Sequence, residues 1–172
     1  MSPVSAEVPS AAAKNLRVFP VGPDLGKLRL FWQDGAGKNF RTLAAVHAHL
    51  LRQGETPLML MNSGIFGLDQ APLGLHVAGG KELHAINRQK GEGNFYLMPN
   101  GIFSISGDGK SAQIQATEDY RVKEPSLAVQ SGPLLVRNGV IHPKFTENST
   151  HVNLRNGIGV TKEGKVLLAI ST

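Results

Sequence analysis

The 172 residues are enough for one domain with its own core, and 41% hydrophobic against 18% charged residues excludes a disordered chain. The absence of cysteine excludes disulfides and thiolate metal sites and leaves the compartment open. The net charge of +5 suits an anionic ligand, but the Lys and Arg residues are dispersed with no aromatic platform among them, so nucleic acid is not the expected partner.

No apolar run approaches the ~20 residues of a transmembrane helix. Met1 to Lys14 is small and polar, without the basic start and long apolar stretch of a complete signal peptide. Residues 1–15 are therefore expected to form a flexible segment, with the domain over 16–172. Leu16 to Pro20 and Lys27 to Trp32 are rich in branched and aromatic residues and read as strands, split by the turn residues Gly22-Pro23-Asp24. In Phe40 to Leu51, apolar residues fall at helical spacing and Gly54 ends the run, which predicts a helix. His47 and His49 lie on it, but not at the three- or four-residue spacing that would put two metal ligands on one face.

Leu58 to Met61 is continuously apolar, the mark of a buried strand delivering Asn62-Ser63-Gly64 to a turn. Strands are also expected at Leu73 to Ala78, Glu82 to Asn87, Asn94 to Met98, Gly101 to Ser106, Ala112 to Thr117 and Val166 to Ile170. His76 and His84 read as satisfied structural histidines. Glu118 to Pro125 and Glu147 to Thr150 read as surface loops, the latter containing an Asn148-Ser149-Thr150 sequon that matches easily by chance. Many short strands with turn punctuation predict an α+β fold: a β-rich single domain, mostly antiparallel sheet with one or two packed helices.

The densest chemistry lies between Ala128 and Val160. Arg137-Asn138-Gly139 between Pro133 to Val136 and Val140 to Ile141 is a strong hairpin signal. Gln130-Ser131-Gly132 reads as a turn before it, and Arg155-Asn156-Gly157 opens the next apolar run. Arg155 is the best anion holder, because a guanidinium presents a planar fork and keeps its charge; a surface ion pair is the competing reading. Gly132, Gly157 and Gly159 would let backbone N–H groups face the same anion. Gln130, Ser131 and Asn156 could orient the polar groups of a ligand. Asn62 is either a ligand amide or a turn residue, with Gly64 allowing close backbone approach. His142 either moves a proton or caps the hairpin. No convincing carboxylate pair, phosphate loop, zinc motif or nucleophile elbow is present.

Met61-Asn62-Ser63-Gly64-Ile65-Phe66, Pro72-Leu73-Gly74-Leu75, Asn94 to Gly101, Gln130-Ser131-Gly132-Pro133, His142-Pro143 and Arg155-Asn156-Gly157-Ile158-Gly159 occur in an order that resembles the phosphodiester glycosidase family, which has many bacterial periplasmic or secreted members. The resemblance runs from about Leu28 to the C-terminus. It implies hydrolysis of a sugar phosphodiester in a glycan or cell-envelope glycoconjugate; no cofactor and no metal ligand is assigned from these residues, and metal dependence is open. It implies catalytic roles for Asn62, Arg155 and His142, substrate contacts from Gly64, Gln130, Ser131, Gly132, Asn156 and Gly157, and a periplasmic or secreted location. Family members carry a further helix and an Asp-Gly strand end beyond the strand matching Val166 to Ile170. No segment here matches it, so a C-terminally truncated domain is expected. A non-catalytic binding module for anionic glycans is the alternative. The oligomeric state is open.

Overall fold

The structure is a computed structural model and describes residues 15–146, 149–150 and 153–171. The expected flexible segment falls, except for Asn15, outside the described residues, as does Asn148 of the sequon.

Ten strands and one α-helix are found among the described residues. The strands are β1 (Leu16–Pro20), β2 (His76–Ala78), β3 (Lys81–His84), β4 (Gly101–Ile105), β5 (Ala112–Ala116), β6 (Leu127–Ser131), β7 (Val136–Arg137), β8 (Val140–Ile141), β9 (Asn156–Val160) and β10 (Val166–Ser171). They form a five-stranded sheet in the order β3-β2-β6-β4-β5, a three-stranded sheet β1-β10-β9 and the small hairpin β7-β8. Every pairing is antiparallel. The fold is the expected β-rich α+β domain.

Side chains alternate across the five-stranded sheet, as the period of two requires. Phe103, Ile105 and Leu127 face one way and pack with Leu25 and Val166, against which Ile158, Val160, Leu28 and Leu30 also lie. This cluster joins the two sheets. Val77, Ile102 and Ala128 face the other way and pack with Leu75, Ile86 and Tyr120.

Helix α1 (Leu43–Arg52) begins three residues later than its apolar spacing predicts. Arg41 has φ +63°, which breaks the helical path, and Thr42 then caps the helix by accepting from Ala45 N–H through Oγ1 at 3.1 Å. The helix buries Val46 and Leu50, while Phe40 packs edge-on against His49 at 5.0 Å. The Asn138-Gly139 hairpin forms as predicted, with φ of +53° and +79° at its two central residues.

Four local expectations fail. Lys27 to Trp32 is no strand: a single 3-10 turn (Leu25–Lys27), capped by Asp24, leads into a stretch that pairs with no strand. Leu58 to Met61 joins no ladder, and Leu58 is fully exposed, because no strand lies alongside it. Asn94 to Met98 contains a 3-10 turn (Asn94–Tyr96) that buries Phe95. Gln130 and Ser131 are not in a turn; they end β6, the central strand, held by β2 on one side and β4 on the other.

Candidate functional site

A cleft of about 2830 Å³ runs between the two sheets, lined by Phe103, Ile114 and Val129 from one and Ile158, Val160 and Leu168 from the other. It is several times larger than the roughly 300–1,000 Å³ of a small-molecule pocket. Seven Lys and Arg residues line it against three carboxylates, a surplus of four positive charges. Two of those carboxylates are already paired, Glu55 with Arg29 and Asp119 with Arg137. The cleft therefore attracts anions.

The fold brings Asn62, Gly64, Gln130, Ser131, Gly132, Arg155, Asn156 and Gly157 to this cleft and leaves His142 off it. Arg155 precedes β9 and is exposed. Its backbone is gripped by Ser171 at the end of β10. Arg155 N–H donates to Ser171 Oγ at 2.6 Å, and Arg155 O accepts from Ser171 N–H at 2.8 Å. Among the described residues the guanidinium makes one hydrogen bond, to Leu154 O at 3.3 Å, and no carboxylate lies within ion-pair distance of it. Asn156 Nδ2 donates to Asn62 O at 3.0 Å, which joins the start of β9 to the 62–64 segment. The side-chain amide of Asn62 has no hydrogen-bond partner among the described residues, and neither has the hydroxyl of Ser131 on the cleft face of β6. Gly157 has open space where a Cβ would stand, so a ligand can approach its backbone.

Four of the expected site residues serve the scaffold instead. Gln130 is 1% exposed. Its Oε1 accepts from Leu75 N–H at 3.0 Å and Asn87 N–H at 2.9 Å, and its Nε2 donates to Asn87 O at 2.7 Å and Thr117 Oγ1 at 3.1 Å. Nothing of the amide remains for substrate. The amide fits because residue 74 is glycine: a Cβ there would stand 2.2 Å from Gln130 Oε1. Gly64 and Gly132 are also packing glycines. A Cβ at Gly64 would lie 2.8 Å from both Gln130 O and Val129 Cγ2, and one at Gly132 would lie 2.5 Å from Phe95 O. The close approach their small size allows is to the neighbouring chain, not to a ligand. His142 is buried; Nε2 donates to Met98 O at 3.0 Å and Nδ1 accepts from Lys144 N–H at 3.2 Å. Both ring nitrogens are engaged with the backbone, the contacts of a cap on the hairpin segment.

The sequence reading missed Ser171, Gly74, Asn87 and Thr117, which hold Arg155 and Gln130. Only their partners across the sheets identify them. It also misjudged His76, whose Nε2 is buried with no hydrogen-bond partner. Burial, followed by the nearby His84, lowers the pKa of His76 below the ordinary histidine value.

A profile of the phosphodiester glycosidase family matches residues 56–172. The chain belongs to the phosphodiester glycosidase family. It is 36% identical over 156 residues to the uncharacterized protein YigE of Escherichia coli (strain K12), a match covering 91% of this chain and 61% of the relative. The chain thus spans about three fifths of that relative's length. No solved structure shows a significant match. Among the described residues, no helix is long and apolar enough to cross a membrane.

Proposed function

We propose that the cleft binds a sugar phosphodiester through Arg155 and that this family member hydrolyses the bond between the anomeric carbon and phosphate. In that reaction water's oxygen bonds to the anomeric carbon, the anomeric C–O bond breaks, and the phosphate leaves as a monoester. The supporting observation is Arg155, whose backbone is held by Ser171 and whose guanidinium lines a cationic cleft with no carboxylate in ion-pair distance among the described residues. A guanidinium without a carboxylate partner is suited to two phosphate oxygens. Asn62, Ser131 and Asn156 line the same cleft with neutral donors and acceptors, and the open Gly157 backbone is available to the same anion. The substrate class is a glycan or cell-envelope glycoconjugate, met in the periplasm or outside the cell.

The test is phosphorus NMR of a glycosyl phosphodiester incubated with the chain and with Arg155→Ala and Arg155→Lys. Conversion to a phosphomonoester that is lost in Arg155→Ala supports the proposal; conversion untouched by that change refutes the site. The second reading, a binding module for anionic glycans, draws on the engagement of both His142 nitrogens by the backbone, which leaves the site without an assigned proton carrier. Arg155-dependent binding with no conversion would favour it.

A further inference from the structure

On the cleft face of the five-stranded sheet lies a polar group that the reading above leaves unused. His76, on β2, is 4% exposed and its Nε2 has no partner. The Trp32 ring stands edge-on to it, 6.2 Å between centroids at 66°, and Trp32 Nε1–H is likewise buried and unpartnered. A third such atom is Gln70 Oε1. Gln70 lies in the turn between Phe66 and Pro72, which is tied to the hairpin following Trp32 by Asn39 Nδ2 donating to Asp69 O at 3.2 Å. All three residues line the cleft.

A fourth unpartnered atom on the cleft lining, Gln115 Oε1, lies on β5, three strands from β2. Buried polar groups in native proteins are nearly always hydrogen-bonded, so the three in Trp32, His76 and Gln70 call for a ligand that partners them. Their chemistry defines that ligand. The indole N–H only donates, the glutamine Oε1 only accepts, and an imidazole Nε2 does either. A hydroxyl donates and accepts at once, and an indole gives a sugar ring a flat apolar neighbour. Burial disfavours the charged form of His76, which turns the group towards a neutral ligand. The group is also next to the anion end. His76 pairs across the sheet with Val129, and Val129 packs directly against Gly64, two residues from Asn62.

We propose that Trp32, His76 and Gln70 form a glycosyl subsite that takes the hydroxyls of a neutral sugar ring beside the Arg155 anion site. This rests on the reading of the cleft as a glycosyl phosphodiester site. Trp32 is the only tryptophan in the chain, so its emission reports on the subsite directly. The full chain is titrated with methyl α-D-glucopyranoside, with methyl N-acetyl-α-D-glucosaminide and, separately, with inorganic phosphate. The expected result is a saturable emission shift with at least one glycoside. Gln70→Ala, in a surface turn, should weaken that glycoside about fivefold, the loss of one neutral hydrogen bond. Arg155→Ala should leave it unchanged while weakening phosphate. No saturable shift with either glycoside overturns the subsite, as does a shift unaltered by both Gln70→Ala and His76→Asn. Phosphate binding indifferent to Arg155→Ala would sink the anion site instead, and the glycoside titration would still decide the subsite.

Discussion

Gln130→Leu removes four hydrogen bonds at the centre of the main sheet while keeping a side chain of similar size. Two donors, Leu75 N–H and Asn87 N–H, lose their only acceptor among the described residues, Gln130 Oε1. Asn87 O and Thr117 Oγ1 lose a donor, but a carbonyl keeps a second lone pair and a hydroxyl can rotate, so the two N–H groups dominate. Leaving a buried donor unpaired costs about 1–3 kcal/mol, which puts the loss at roughly 2–6 kcal/mol for the pair. That is a large share of the ~5–15 kcal/mol that holds a domain together. In urea, with a slope of about 2 kcal/mol per molar, a loss of ~4 kcal/mol lowers the midpoint by about 2 M. Ser131→Ala is the neighbouring control: its hydroxyl makes no hydrogen bond among the described residues and its loss should leave the midpoint within about 0.3 M. A Gln130→Leu midpoint within about 0.5 M of the parent at unchanged slope would refute the scaffold role and return Gln130 to the ligand.

Three further outcomes follow from the geometry. Gly64→Ala puts a methyl 2.8 Å from Gln130 O and should cost about 1–3 kcal/mol, read as a lowered urea midpoint. Thr42→Ala removes the cap of α1 and should cost about 1 kcal/mol, with a matching loss of thermal stability by circular dichroism. His76 is harder to protonate folded than unfolded, so the unfolded chain takes up the extra proton as the pH falls. This contribution to stability should therefore be level above the unfolded histidine pKa of about 6.5 and decline below it. In His76→Phe that slope should be smaller in urea midpoints measured between pH 7.5 and 5; an unchanged slope would refute the assignment to His76.

Local signals were legible where local geometry alone decides the outcome. The Asn138-Gly139 pair turns the chain wherever it stands, because both residues accept positive φ. The strands β4, β5, β9 and β10 appear within a residue or two of their apolar runs, and the ordered motifs pointed to the family that the profile match shows. Arg155, Asn156 and Asn62 were singled out as strand-end polar residues, and the fold brings them to one cleft.

The failures share a physical cause, which is the identity of the neighbour. An apolar run becomes a strand only if another strand offers it hydrogen bonds; Leu58 to Met61 has none and Leu127–Ser131 has two. A glycine admits close approach, but what approaches is a tertiary matter, and at Gly64 and Gly132 it is the protein's own backbone. A glutamine or histidine carries the same donors and acceptors whether it meets substrate or main chain. Gln130 and His142 met main chain, while the Nε2 of His76, read as satisfied, has no hydrogen-bond partner among the described residues. The sequence by itself determined the β-rich class, the hairpin, the family and the cationic strand end, all set by composition, short-range backbone preference and motif order. The tertiary structure alone decided which polar side chains are spent on the scaffold and which remain free at the cleft, because a hydrogen-bonding valence is used up only by a partner that the fold carries to it.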